Sequence, residues 1–200
     1  MAKVIRFPAS NPEKFGFKPV RKKIEGSEKS KNNQLNLFTG GKVVSFNKLS
    51  QFEEALMLDE AGNVSAKEAY LKAIEKGDSV ADAYCNLGIL ESQTGNYTKA
   101  IDCFTKSLSE NPRHFEAHYN LANLYAETGN LPLAKLHYQV SIEIEPDFPN
   151  SHFNLALTLA MKREVEDSIQ SLENYCKLVS VSEQHQARTL IENLSSTLGK

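Results

Sequence analysis

Residues 81–114 read ADAYCNLGILESQTGNYTKAIDCFTKSLSENPRH, and residues 115–148 read FEAHYNLANLYAETGNLPLAKLHYQVSIEIEPDF. Aligned at an offset of 34, they agree at Ala83/Ala117, Asn86/Asn120, Leu87/Leu121, Leu90/Leu124 and Thr94/Thr128. They agree again at Gly95/Gly129, Asn96/Asn130, Ala100/Ala134, Ser107/Ser141 and Pro112/Pro146. These positions are the ones a helix-turn-helix unit needs. Tyr84, Leu87 and Leu90 in one unit, and Leu121, Leu124 and Tyr125 in the next, have helical spacing. Gly88, Ala122 and Ala156 are small at the equivalent point, where a partner helix must come close. Gly95-Asn96 and Gly129-Asn130 end the first helix, because both residue types tolerate a left-handed C-cap. The second helix then carries Ala100 or Ala134 at the close contact and Phe104 or Tyr138 as its large packing residue. Pro112 and Pro146 stop it and open the next unit.

The period continues in both directions. His118-Tyr119-Asn120-Leu121-Ala122 returns as His152-Phe153-Asn154-Leu155-Ala156, which predicts a third, weaker copy over 149–182. There Ser168 replaces the small alanine, Leu172 the aromatic residue, and Arg163-Glu164 the turn glycine. An earlier copy over 48–80 places Ala66, Tyr70 and Ala73 on its second helix. Its Gly62-Asn63 falls one residue late, which predicts a turn shorter by one. Residues 183–198 predict a last amphipathic helix, the cap that a solenoid needs over its final apolar face.

A 34-residue helix-turn-helix with small, aromatic and terminal proline positions in this order resembles the tetratricopeptide repeat (TPR). The resemblance implies an all-α, right-handed solenoid whose concave face is lined by the first helix of each unit. The expected organisation is a basic, largely disordered arm over 1–47 and a repeat domain over 48–200, with units at 48–80, 81–114, 115–148 and 149–182.

Composition fits this reading. The chain has 200 residues, 40% hydrophobic and 24% charged, as expected of one soluble domain with a tail. Three cysteines without close pairing point to a reducing compartment and a cytoplasmic location. No run approaches the roughly 18 apolar residues of a membrane span, and the N-terminus lacks the apolar stretch of a secretory signal. The formal net charge of −2 conceals a division. Residues 1–48 hold 11 Lys/Arg against 3 Asp/Glu, and residues 49–200 hold 12 against 22. A basic arm therefore precedes an acidic body.

The arm contains Pro8, Pro12 and Pro19, and its apolar residues are too sparse to repay the entropy of ordering. Its run KPVRKK, following Phe15 and Phe17, allows phosphate contact through Lys18, Arg21, Lys22 and Lys23 with aromatic stacking on bases. The alternatives are a solubilising tail, or an arm docked on its own acidic groove, within the molecule or in a second copy. The stretch QLNLFTGGKVVSF admits a short hairpin at Gly40-Gly41, or an extended segment along the first helix. Leading into FEEALMLDE, it also resembles the linker before such repeats in some bacterial regulators that carry a winged helix-turn-helix.

Asn86, Asn120 and Asn154 recur at strict 34-residue spacing and predict a ladder along the groove. An asparagine amide offers both a donor and an acceptor, so a row of them can hold a peptide through its backbone. The row is similar to the asparagine ladder of the sugar-transferase members of the family. The competing role for these residues is to link adjacent repeats. One turn before them lie Asp82, Glu116 and Asn150, and nearly one turn after lie Ile89, Asn123 and Leu157, which are candidates to set selectivity. Tyr119 and Phe153 precede their asparagines and are candidates for aromatic contact. Asp82, Glu116 and Glu127 favour a basic or neutral ligand. Chaperone-binding relatives grip a C-terminal carboxylate with lysine and arginine on first helices. Between Ala83 and Gly129 the first helices here carry neither.

No catalytic arrangement stands out. His118 and His152 occupy a large-residue packing position, and His114 lies at the inter-repeat turn, which leaves no metal site. Cys85, Cys103 and Cys176 lack C-x-x-C spacing, and Cys85, beside Asn86, is the one placed to face the groove. Gly40-Gly41-Lys42 lacks the rest of a phosphate loop. The expectation is a non-enzymatic adaptor or scaffold, without cofactor, that binds a protein or peptide in its groove and has some capacity for self-association. The alternative is a regulatory protein whose residues 1–48 touch nucleic acid while the repeats recruit a partner.

Overall fold

The computed structural model describes residues 18–20 and 49–198. The expected hairpin segment, and Arg21, Lys22 and Lys23, lie outside the described residues. Nine helices and no strand form among those described: α1 (Gln51–Glu60), α2 (Ala66–Glu75), α3 (Val80–Gln93), α4 (Tyr97–Glu110), α5 (Phe115–Glu127), α6 (Leu131–Ile144), α7 (Pro149–Met161), α8 (Val165–Leu178) and α9 (His185–Leu198). Each packs on its neighbour in sequence, and α5 also touches α3 and α7, so three first helices stand side by side. The fold is an all-helical repeat solenoid. No helix among the described residues is long and apolar enough to cross a membrane.

The 34-residue identities are packing positions. Gly88 is small because the Phe104 ring lies over it. A β-carbon built there would sit 2.8 Å from Phe104 Cε1. Ala100, Phe104, Ala134 and Tyr138 are fully buried between the helices of their pairs. In the weaker copy, Ser168 is buried at the alanine position and satisfies its hydroxyl by donating to the Ala156 carbonyl at 2.7 Å. Leu172 fills the aromatic position at 1% exposure. Ala187 and Leu194 of α9 are buried against α7 and α8 residues, which closes the end of the stack.

The turns keep one geometry despite different residues. After α3, Gly95 takes φ +77° and Asn96 N–H donates to Glu91 O at 2.8 Å; after α5, Gly129 takes φ +81° and Asn130 N–H donates to Tyr125 O at 2.8 Å. After α7, Arg163 takes the same left-handed conformation at φ +64°, and Glu164 N–H donates to Leu159 O at 2.9 Å. The loss of glycine there leaves the Schellman closure unchanged and places a side chain in a conformation that costs about 1–2 kcal/mol. The first turn departs from the sequence expectation. Residues 61–65 separate α1 from α2, whereas residues 94–96 separate α3 from α4, so that turn is longer, not shorter. Gly62 still supplies the left-handed cap at φ +63°, and the added residues come after it, because α2 begins only at Ala66.

Candidate peptide-binding groove

Helices α3, α5 and α7 place Asn86, Asn120 and Asn154 at equivalent points, each with its side chain fully buried. Two of these amides hold the chain's own arm. Asn120 Oδ1 accepts from Lys18 N–H at 2.8 Å, while Asn120 Nδ2 donates to Lys18 O at 2.9 Å. Asn86 Oδ1 accepts from Val20 N–H at 2.8 Å, while Asn86 Nδ2 donates to Val20 O at 3.0 Å. Each amide thus brackets the N–H and C=O of a single residue, which point to the same side only when the backbone is extended. The bonds skip Pro19, which is exposed and has no N–H to offer, so a proline costs nothing at that point. Pro19 also biases Lys18 towards the extended region. The segment advances two residues per repeat and runs against the order of the repeats.

The alternation puts Lys18 and Val20 on the same side. Val20 is 6% exposed and joins the apolar cluster of Cys85, Ile89, Phe104, Ala117, Leu121 and Leu124. The Lys18 ammonium lies 4.0 Å from the Phe148 ring centroid and 5.0 Å from that of Phe115. The two rings meet edge to face at 5.6 Å. Such a pair offers a cation its negative faces while burying its methylene stem. Glu116 adds negative charge nearby. Burial pushes its carboxyl up, and a backbone hydrogen bond and the Lys18 charge oppose that rise. His114 bridges the helix starts, with Nε2 3.0 Å from Asp82 Oδ1 and Nδ1 3.4 Å from Glu116 Oε2. Asp82 and Glu116 therefore belong to one acidic cluster, tied together by a buried histidine.

The asparagines also link adjacent repeats. Asn86 Nδ2 donates to Tyr70 Oη at 3.2 Å, Asn120 Nδ2 lies 3.5 Å from Cys85 Sγ, and Asn154 Nδ2 donates to Tyr119 Oη at 3.1 Å. At Asn154 this link is stronger, since Nδ2 also donates to Asn123 Oδ1 at 3.0 Å. Asn154 Oδ1 is buried with no hydrogen-bond partner among the described residues. Asn123 and Tyr119 are internal: Asn123 is 1% exposed and Oδ1 accepts from Tyr138 Oη at 2.6 Å. The Tyr119 ring is buried against Phe148 and Tyr138. Phe153 packs edge-on against Tyr175 at 5.0 Å, and Leu157 is buried in the same cluster. Asn150 is exposed at the start of α7.

One sequence expectation needs correction. Cys85 does not face open groove; it is fully buried, and burial pushes its thiol well above the ordinary range. The ammonium of Lys18, a residue the sequence offers for phosphate contact, is seated on the two phenyl rings. The aromatic contacts missed in the sequence are Phe115 and Phe148. Both lie at inter-repeat junctions, outside the asparagine-bearing turn, and the only signal was an aromatic residue beside each junction.

His118 and His137 pair through their Nδ1 atoms at 2.9 Å, and Tyr125 stacks on His137 at 5.7 Å. Burial pushes His137 down to about 4, and it lowers His118 as well. No group of three or more metal-ligating side chains occurs among the described residues.

Side-by-side first helices, each paired with the helix that follows it, define a helical-repeat protein. Tetratricopeptide-repeat family profiles match residues 81–114, 103–135 and 137–170. The chain carries tetratricopeptide repeats over these residues. No curated protein matches its sequence. Among solved structures it is similar to MamA of AMB-1, with TM-score 0.63 and 18% identity over 74% of this chain and 81% of that one. It is similar to the first TPR of Spaghetti (RPAP3) bound to the HSP90 peptide SRMEEVD, with TM-score 0.56 and 18% identity over 60% of this chain and 94% of that one. The Yersinia enterocolitica type III secretion translocator chaperone SycD gives TM-score 0.56 and 16% identity over 60% and 87%. At these identities the likeness is one of fold.

Proposed function

We propose that this chain is a protein–protein interaction module that holds an extended segment of a partner in its groove, and that it works by binding and not by catalysis. The observation that carries the reading is the double bracketing of Lys18 and Val20 by Asn120 and Asn86. Backbone bonds of this kind hold any extended chain, and the flanking pockets choose among sequences. The Spaghetti domain holds the acidic peptide SRMEEVD. Here α3, α5 and α7 contain no lysine or arginine, while Asp82 and Glu116 border the site, which supports a basic or neutral ligand. The three unpaired cysteines suit a reducing compartment, in keeping with a cytoplasmic adaptor.

The test is capture from a nuclease-treated lysate, with the full-length chain and its Asn86→Ala/Asn120→Ala variant as baits, followed by cross-linking and peptide mapping. The reading requires partners that the variant loses while keeping its helical circular dichroism. It also requires cross-links from the partner to α3 or α5. Partners retained by the folded double variant, or cross-linked only to other faces, would refute it.

A further inference from the structure

The three residues seated in the groove specify the ligand more narrowly than backbone bracketing does. Lys18 and Val20 occupy chemically distinct positions two residues apart. One is a pair of phenyl rings beside an acidic cluster, and the other is an apolar pocket that leaves Val20 6% exposed. Pro19 between them is exposed and makes no backbone bond to either asparagine. Resting on the groove reading above, we propose that the groove selects an extended Lys-Xaa-Val segment, and that Lys18-Pro19-Val20 of this chain is a tethered copy that a partner must displace.

The geometry sets what each position accepts. The ring pair favours a cation on a long apolar stem: arginine substitutes for lysine, and glutamate places a charge against the negative ring faces and beside Glu116. The pocket lined by Cys85, Ile89, Leu121 and Leu124 takes a branched aliphatic side chain of valine size, and aspartate there would leave a buried charge unpaired. The middle position is unrestricted because it points away and needs no N–H. Tethering makes the arm a competitor at an effective concentration in the millimolar range, so an arm segment with an intrinsic dissociation constant of ~100 µM makes any partner segment bind the intact chain about tenfold more weakly than an arm-released chain. Partners that supply additional contacts overcome this.

The experiment uses full-length protein and a fluorescein-labelled octapeptide, KFGFKPVR, followed by anisotropy. The octapeptide should bind the Lys18→Glu/Val20→Asp chain about tenfold more tightly than the wild-type chain. Peptides carrying Lys18→Glu or Val20→Asp should lose at least about tenfold, while Pro19→Ala should bind like the parent. Equal affinity of the octapeptide for the wild-type and arm-substituted chains overturns the tethered-competitor assignment. If all peptides bind the arm-substituted chain alike, and adding Asn86→Ala/Asn120→Ala abolishes every one, the Lys-Xaa-Val assignment fails while the groove reading stands. If binding survives the added asparagine substitutions, the groove reading itself fails.

Discussion

Replacing Asn120 by alanine separates the two tasks its side chain performs. It removes two hydrogen bonds to the Lys18 backbone, at 2.8 and 2.9 Å, and a 3.5 Å contact to the Cys85 sulfur. At about 0.5–1.5 kcal/mol for each backbone bond, docking of the arm loses about 1–3 kcal/mol. That corresponds to roughly a 5- to 150-fold fall in the docking equilibrium. The thiol contact is long and weak, so the stack itself should lose no more than about 0.5 kcal/mol. Asn86→Ala removes the matching pair of bonds to Val20 and in addition the 3.2 Å link to Tyr70 Oη. Tyr70 keeps its 2.9 Å bond to Asp59, so the extra cost to the fold is about 1 kcal/mol. Carbon-13 labelling of the valine methyls, with Val20 assigned, reports docked and released populations, and urea unfolding reports the stack. Both variants should shift Val20 towards the released signal, with the larger loss of urea stability in Asn86→Ala. An unchanged Val20 population in a folded Asn120→Ala chain would refute the reasoning.

Three further outcomes follow from the packing and the titrating groups. Arg163→Gly relieves a left-handed backbone at φ +64° worth about 1–2 kcal/mol and adds freedom to the unfolded chain worth about 0.4–1 kcal/mol. Urea unfolding should show a net gain of about 0.5–1 kcal/mol, and a loss would contradict the strain argument. Gly88→Leu drives a side chain into the Phe104 ring and should cost about 1–3 kcal/mol by the same assay, against no change if the helices can part freely. His137 is lowered by burial to about 4, so below pH 6.5 the unfolded chain takes up a proton that the folded chain refuses. Stability is therefore complete above pH 6.5 and falls as pH drops towards 4. His137→Phe should flatten the slope of urea stability between pH 6.5 and 5, and an unaltered slope would show that this histidine does not set it.

Much of the fold was legible because its signal is duplicated. Gly88 under Phe104 and Ala122 near Tyr138 pair a small residue with a large one in successive copies, and a period of 34 makes such pairs visible without coordinates. The turn after α7 was harder to read, because its left-handed position is held by Arg163 and backbone bonds keep the closure where the residue type does not advertise it. The asparagine ladder was legible as a row, but the different states of its rungs were not. Asn154 differs from Asn86 and Asn120 because Tyr119 and Asn123, residues with no counterpart of the same type in the neighbouring copies, capture its Nδ2. The seating of the arm was legible only as a charge imbalance between an arm and a body. Lys18 and Val20 are two residues separated by a proline, too short a pattern for periodicity, and their partners Phe115 and Phe148 lie at junctions outside the ladder. Three-dimensional proximity joins those four residues.

Hydrogen exchange at the Lys18 and Val20 amides, in the full-length chain and in Asn86→Ala/Asn120→Ala, tests the central claim most directly. The account predicts that both amides of the wild-type chain exchange at least about tenfold more slowly than in the free octapeptide, and that the double variant returns both to the peptide rate. Peptide-like exchange of both amides in the wild-type chain would contradict it.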